Sequence, residues 1–137
     1  MNQHTYLRAY LAGIAVPTPL LLVAMTVYIV FRLVYHFPVP VERIIVFPMA
    51  VIPNAWGLWN ILFMAWRGRL QMSIGLHGAL LPFLLAPFGM AVRGILDIPI
   101  PNVVVHALPI IAPAGLIAYY LAWKYLVGSL NRILGLA

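Results

Sequence analysis

Four apolar runs, at about 9–35, 43–66, 71–93 and 103–127, most constrain what this chain can fold into. A bilayer core of about 30 Å takes roughly 20 helical residues at about 1.5 Å rise each, and every run meets that length. Both acidic residues of the chain, Glu42 and Asp97, fall between runs. With 65% hydrophobic and 7% charged residues and a mean hydropathy of +1.04, lipid is the expected solvent, because water would not keep such a chain monomeric. The sequence therefore reads as an all-α integral membrane protein, a single domain of four transmembrane helices over residues 1–137, with nothing left for a second, soluble unit.

The connections carry breaker chemistry. Pro38, Pro40, Pro99 and Pro101 have no amide hydrogen and push the residue before them to extended conformations, so two segments are predicted as polyproline-like straps at the membrane surface. Arg67-Gly68-Arg69 predicts a tight helical hairpin. The first run leads to Arg32 instead of a small-residue cleavage site, so it reads as a retained helix, not a removed signal peptide. After Tyr125, Leu126, Leu130, Ile133 and Leu134 fall on one side of a helix and Ser129, Asn131 and Arg132 on the other. That spacing predicts an interfacial, amphipathic C-terminal tail continuing the fourth helix.

A net charge of +6 does not point to nucleic acid, because the eight basic residues are scattered singly beside apolar runs. With an even number of spans, the N-terminus, the 67–70 link and the C-terminus share one face. That face carries Arg8, Arg67, Arg69, Lys124 and Arg132 and no acid; the other sets Arg32, Arg43 and Arg93 against Glu42 and Asp97. The positive-inside rule then places both termini in the cytoplasm, in a membrane of the bacterial inner type. The five cations of that face are expected to contact anionic lipid headgroups.

An internal repeat organises the chain further. Residues Arg32 to Pro40 align without gaps on Arg93 to Pro101 at an offset of 61, which also brings Pro48 onto Pro109. Ala65-Trp66-Arg67 resembles Ala122-Trp123-Lys124 at an offset of 57. The expectation is a duplicated two-helix hairpin, about 20–66 and 81–123, the two copies running parallel and related by rotation about the membrane normal.

Little in the sequence carries chemistry. The absence of cysteine excludes thiolate nucleophiles, disulfides, Cys-ligated zinc and cysteine-held iron–sulfur clusters. Each run holds prolines (17 and 19, 48 and 53, 82 and 87, 109 and 113), which predict kinked or locally opened helices. The amide and imidazole side chains in or at the spans are Asn54, Asn60, His77, Asn102 and His106. Asn60 and His77 are nearly equidistant from the 68–69 turn and should meet at one depth. They form either interhelical glue contributing about 1 kcal/mol or a ligand pocket walled by Tyr119 or Tyr120, with His77 as proton carrier or axial ligand. Ser73-x-x-x-His77 and Asn102-x-x-x-His106 raise haem or chlorin, but the two imidazoles start antiparallel helices and cannot ligate one macrocycle within a chain. No metal and no cofactor are expected.

Enzymes in lipid still need acids, bases, nucleophiles or metals. The expected role is therefore a non-catalytic subunit or accessory of a larger membrane assembly, whose partners are lipid and other membrane subunits or a second copy of itself. The alternative is a small homodimeric channel or carrier for a neutral or weakly polar solute. A membrane enzyme, or a haem- or pigment-binding protein using His77, ranks third. Small residues suited to close contact with a partner are Gly75, Gly78 and Ala79, or Ala112, Ala114 and Gly115.

Overall fold

The computed structural model describes residues 3–136; Met1, Asn2 and Ala137 lie outside the described residues. The described residues contain helices and turns and no strand. In order they are α1 (Gln3–Ile14), α2 (Pro17–Tyr35), α3 (Val41–Ile45), a π-helical segment (Val46–Val51), α4 (Ile52–Trp66), α5 (Ile74–Leu96), α6 (Asn102–Leu121), a second π-helical segment (Ala122–Val127) and α7 (Gly128–Ile133). Four helical stretches are long and apolar enough to cross a membrane: His4–Tyr35, Val46–Trp66, Ile74–Leu96 and Asn102–Ile133.

Proline opens the first two stretches and not the last two. A turn at Ala15 and Val16 separates α1 from α2, and Pro17 then sits in the first turn of α2, where its missing N–H costs no intrahelical bond. The Thr18 hydroxyl donates to the Ile14 carbonyl at 2.6 Å, re-satisfying backbone freed by the break. Around Pro48 the helix widens into the first π-helical segment, and the Ile52 N–H reaches back five residues to Phe47. Pro82 and Pro87 in α5 and Pro109 and Pro113 in α6 are carried inside uninterrupted helices.

Both straps have one backbone design. α2 and α5 end on left-handed residues, His36 and Asp97, each at φ 51°, which are the non-glycine residues of positive φ among those described. Pro40 (φ −68°, ψ 145°) and Pro101 (φ −58°, ψ 138°) are extended and start the next helices at Val41 and Asn102. These boundaries fall at the offset of 61 that relates the two motifs. The likeness stops farther on: Trp66 closes α4 and is 48% exposed, whereas Trp123 lies within a continuing helix and is fully buried.

The link between α4 and α5 is longer than the expected Arg67–Arg69 turn. It runs to Ser73, whose hydroxyl caps α5 by accepting from the Leu76 N–H at 3.3 Å. This cap is what Ser73 does beside His77.

Glycines set the two closest helix approaches. α1 lies along α4 at Gly13 and Gly57: a Cβ on Gly13 would fall 2.5 Å from the Trp56 carbonyl oxygen, and one on Gly57 would enter the Tyr10 ring. In α5, Gly78 receives Trp123, whose Cγ would lie 1.9 Å from an added Cβ, and Gly75 receives Tyr120. Gly75 and Gly78 are thus filled from within the chain and are not a surface for a partner. The main core gathers Val16, Trp56, Leu81, Leu85, Trp123 and Val127. Ala9, Met64 and Leu136 form a second cluster, which brings α1, the end of α4 and the C-terminal segment to one end of the bundle. Elsewhere packing is thin: α2 buries Pro17 and Met25, and α6 buries no residue.

The C-terminal tail does continue the fourth helix, with Leu130 and Leu134 packed inward and Arg132 exposed as expected, but three residues depart from the expected sides. Asn131, assigned to the outward polar side, is buried, while Leu126 (50% exposed) and Ile133 (78%) face out. The reason lies across the interface, where an amide on α4 is placed to satisfy Asn131.

Candidate functional site

Two polar nodes are buried in the end of the bundle shared by α1, the α4–α5 link and α7. In the first, Asn60 and Asn131 exchange amide hydrogen bonds: Asn60 Nδ2 donates to Asn131 Oδ1 at 2.8 Å and Asn131 Nδ2 donates to Asn60 Oδ1 at 3.0 Å. The second Asn60 N–H donates to the Ala9 carbonyl at 2.8 Å. One side chain on α4 therefore ties α1 to α7. Arg67 reinforces this end by donating to the Leu136 carbonyl.

In the second node Trp59 and His77 bind each other's backbone. The Trp59 indole N–H donates to the His77 carbonyl at 2.8 Å, and His77 Nε2 contacts the Trp59 carbonyl at 3.0 Å. A carbonyl only accepts, so Nε2 carries the proton. The imidazole stacks on Trp59 (ring centroids 4.7 Å apart, planes at 22°) and is flanked by Phe63 at 5.2 Å and Trp123 at 6.0 Å. This aromatic box leaves His77 only 4% exposed. The Trp123 indole N–H, also buried, has no hydrogen-bond partner among the described residues.

The structure does not join Asn60 to His77 by a hydrogen bond. Hairpin geometry gave both a similar depth, but adjacent residues on a helix point about 100° apart. Trp59 and Phe63 take the α5 side of α4, and Asn60 turns toward α1 and α7. Tyr119 and Tyr120 do not wall a shared pocket. Tyr119 packs on Trp56 (5.1 Å between centroids), whereas Tyr120 lies against Gly75 beneath Lys124. His106 is exposed, and its Nδ1 contacts the Asn102 carbonyl at 2.8 Å, which occupies the Asn102-x-x-x-His106 pair locally. Nowhere among the described residues do three of His, Asp and Glu gather as a metal site.

Sequence reasoning missed Asn131, Trp59 and Trp123. A small signal existed for the first: an amide at the one-turn spacing of Val127 and Asn131, on a chain where buried amides are scarce, could pair with Asn60.

One cavity borders these nodes and a second lies apart from them on α5 and α6. The first, of about 400 Å³, is lined by Arg67, Lys124, Arg132, Ser73 and Asn131 among others. Arg8 and Arg69 are not among its lining. The other, of about 440 Å³, is an apolar groove between α5 and α6 walled by Phe83, Pro87, Ile111, Ala112, Gly115 and Tyr119. Comparison with protein families, curated proteins and solved structures finds no match to this chain.

Proposed function

We propose that the chain is a non-catalytic subunit of a larger membrane assembly and that α6, with the groove beside it, seats a transmembrane helix of a partner. The observation that carries this reading is a contrast between two parts of one small protein. The amides of Asn60 and Asn131 and the imidazole Nε2 are bonded within the chain, whereas α6 has no buried residue at all. Val103, Ile110 and Ile117, spaced seven apart along α6, are 73%, 77% and 61% exposed. A carrier for a polar solute would instead leave polar groups lining a path, and the α5–α6 groove is apolar.

Lipid supplies little drive for helices to associate, so close packing at small residues must provide it. Ala112 and Gly115 supply such a surface, and nothing lies within 4 Å of a Cβ built on Gly115. In the same reading the four stretches span the membrane as two duplicated hairpins, with the Arg67–Arg132 end in the cytoplasm.

The test compares wild type with Gly115→Leu, both purified from the native membrane in mild detergent. A stoichiometric partner retained by wild type and lost by Gly115→Leu, at unchanged thermal unfolding, supports the assembly reading. A wild-type chain that purifies as a closed dimer and moves a solute into liposomes refutes it and installs the carrier. An impermeant thiol reagent that labels Gly68→Cys from outside intact cells reverses the orientation.

A further inference from the structure

We infer that the cavity between the α4–α5 link and α7 is a binding site for a phosphate group. Arg67, Lys124 and Arg132, three of the eight basic residues, line one space of about 400 Å³. No acidic side chain balances them, since Glu42 and Asp97 lie in and beside the straps, and the cavity lining includes neither. Three cations held together cost repulsion, which an anion between them removes. Opposite charge within about 4–6 Å is the stabilising arrangement.

The individual contacts leave the charges available. Lys124 Nζ makes cation–π contacts with Tyr120 and Tyr125, at 5.6 and 5.3 Å from the ring centroids, and is paired with no carboxylate among the described residues. Arg132 spends one N–H on Ser129 at 3.1 Å. Arg67 uses Nη1 for the Leu136 carbonyl and the Met64 sulfur, which anchors the guanidinium beside the cavity. A guanidinium presents five donors, so most remain free for oxygen atoms. Ser73 and Ile74 complete the wall at the start of α5, whose 23 residues direct the positive end of a helix dipole to this space. Phe63, Met64 and Met72 supply an apolar floor, so the site accepts a phosphate bearing a hydrocarbon chain as readily as a free anion.

A phosphate monoester suits the site better than a zwitterionic headgroup, because the lining offers no carboxylate for a quaternary ammonium. The shared chemistry is the phosphate; its source is either a lipid headgroup or a soluble anion. Both sources are tested on the full chain in neutral detergent micelles, titrated with dioctanoyl phosphatidic acid, dioctanoyl phosphatidylcholine and inorganic phosphate.

Each cation near an anionic surface contributes on the order of fivefold in affinity, so Lys124→Gln with Arg132→Gln should weaken phosphatidic acid binding about 25-fold. Neither substitution removes a core contact, and Lys124→Arg should retain binding. Arg69→Gln, outside the cavity, should change it less than twofold. Tight phosphatidic acid binding with weak inorganic phosphate binding assigns the site to lipid. Equal, variant-sensitive binding of inorganic phosphate assigns it to a soluble anion. Equal affinity for phosphatidylcholine, or a loss with Arg69→Gln as large as with the double variant, overturns the proposal.

Discussion

The Asn60–Asn131 pair predicts a large departure from additivity. Asn131→Leu removes two hydrogen bonds and leaves Asn60 Oδ1 buried without a donor, although Asn60 keeps its bond to Ala9. With the reciprocal amide pair counted as one interaction, each polar interaction between membrane helices contributes about 0.6 kcal/mol on average and about 1.7 at most, and one orphaned buried amide adds about 1. The single variant should therefore cost about 1.5 kcal/mol. Asn60→Leu severs α1 as well and strands both ends of the Asn131 amide, so it should cost about 2 kcal/mol. The double variant strands neither amide and buries two apolar side chains of comparable size, so it should cost only about 1 kcal/mol. The sum of the single effects exceeds the double by about 2.5 kcal/mol, within the range found for residues in direct contact. Reversible unfolding in mixed micelles titrated with sodium dodecyl sulfate, followed by tryptophan fluorescence, measures all three. Additivity within about 0.5 kcal/mol would show that the reciprocal amide pair does not hold α4 to α7.

Gly78→Ala should destabilise by about 3 kcal/mol, because its Cβ would lie 1.9 Å from Trp123 Cγ and the indole has no space to retreat in a filled core. Gly115→Ala, facing open space, should stay within about 0.5 kcal/mol, and thermal unfolding in detergent separates the two. At the straps, His36→Gly and Asp97→Gly should each stabilise by about 0.5–1 kcal/mol, since both residues sit at φ 51° where a Cβ is penalised. A loss of stability in either glycine variant would show that the side chain does more for its strap than the backbone conformation costs.

The parts of the fold legible in the sequence are those decided locally. Run length gave four membrane-length stretches, and Pro40 and Pro101 produced the extended straps because a proline ring restricts φ wherever it occurs. What depended on a second helix was not legible. Asn131 looked outward by helical periodicity, yet it turns in because Asn60 waits across the interface. Distance from a turn placed Asn60 and His77 at similar depth but said nothing about direction around the helix, so the partners proved to be Ala9 and Asn131 for one and Trp59 for the other. Gly75 and Gly78 were recognisable as sites of close approach, while which surface would approach, Trp123 of the same chain, was written only in the packing.

The aligned prolines separate local sequence from packing most clearly. Pro48 and Pro109 occupy matching places after matching straps, yet the helix is π-wound at the first and ordinary α at the second. Proline alone therefore does not open the helix. The difference lies in what each turn touches. Phe47 packs on α5, its Cζ 3.1 Å from where a Gly89 Cβ would stand and its ring 6.0 Å from that of Phe88. The aligned residue in α6, Leu108, is 49% exposed. A wider turn costs hydrogen-bond geometry and persists where packing compensates, as Phe47 does; the exposed Leu108 offers no such packing and the helix there keeps regular winding. The second helix of one hairpin is thus shaped at this turn by contact with the other hairpin, while the matching turn of its counterpart stands exposed. This asymmetry is the physical reason for placing the partner helix of the proposed assembly on α6 and not on α4.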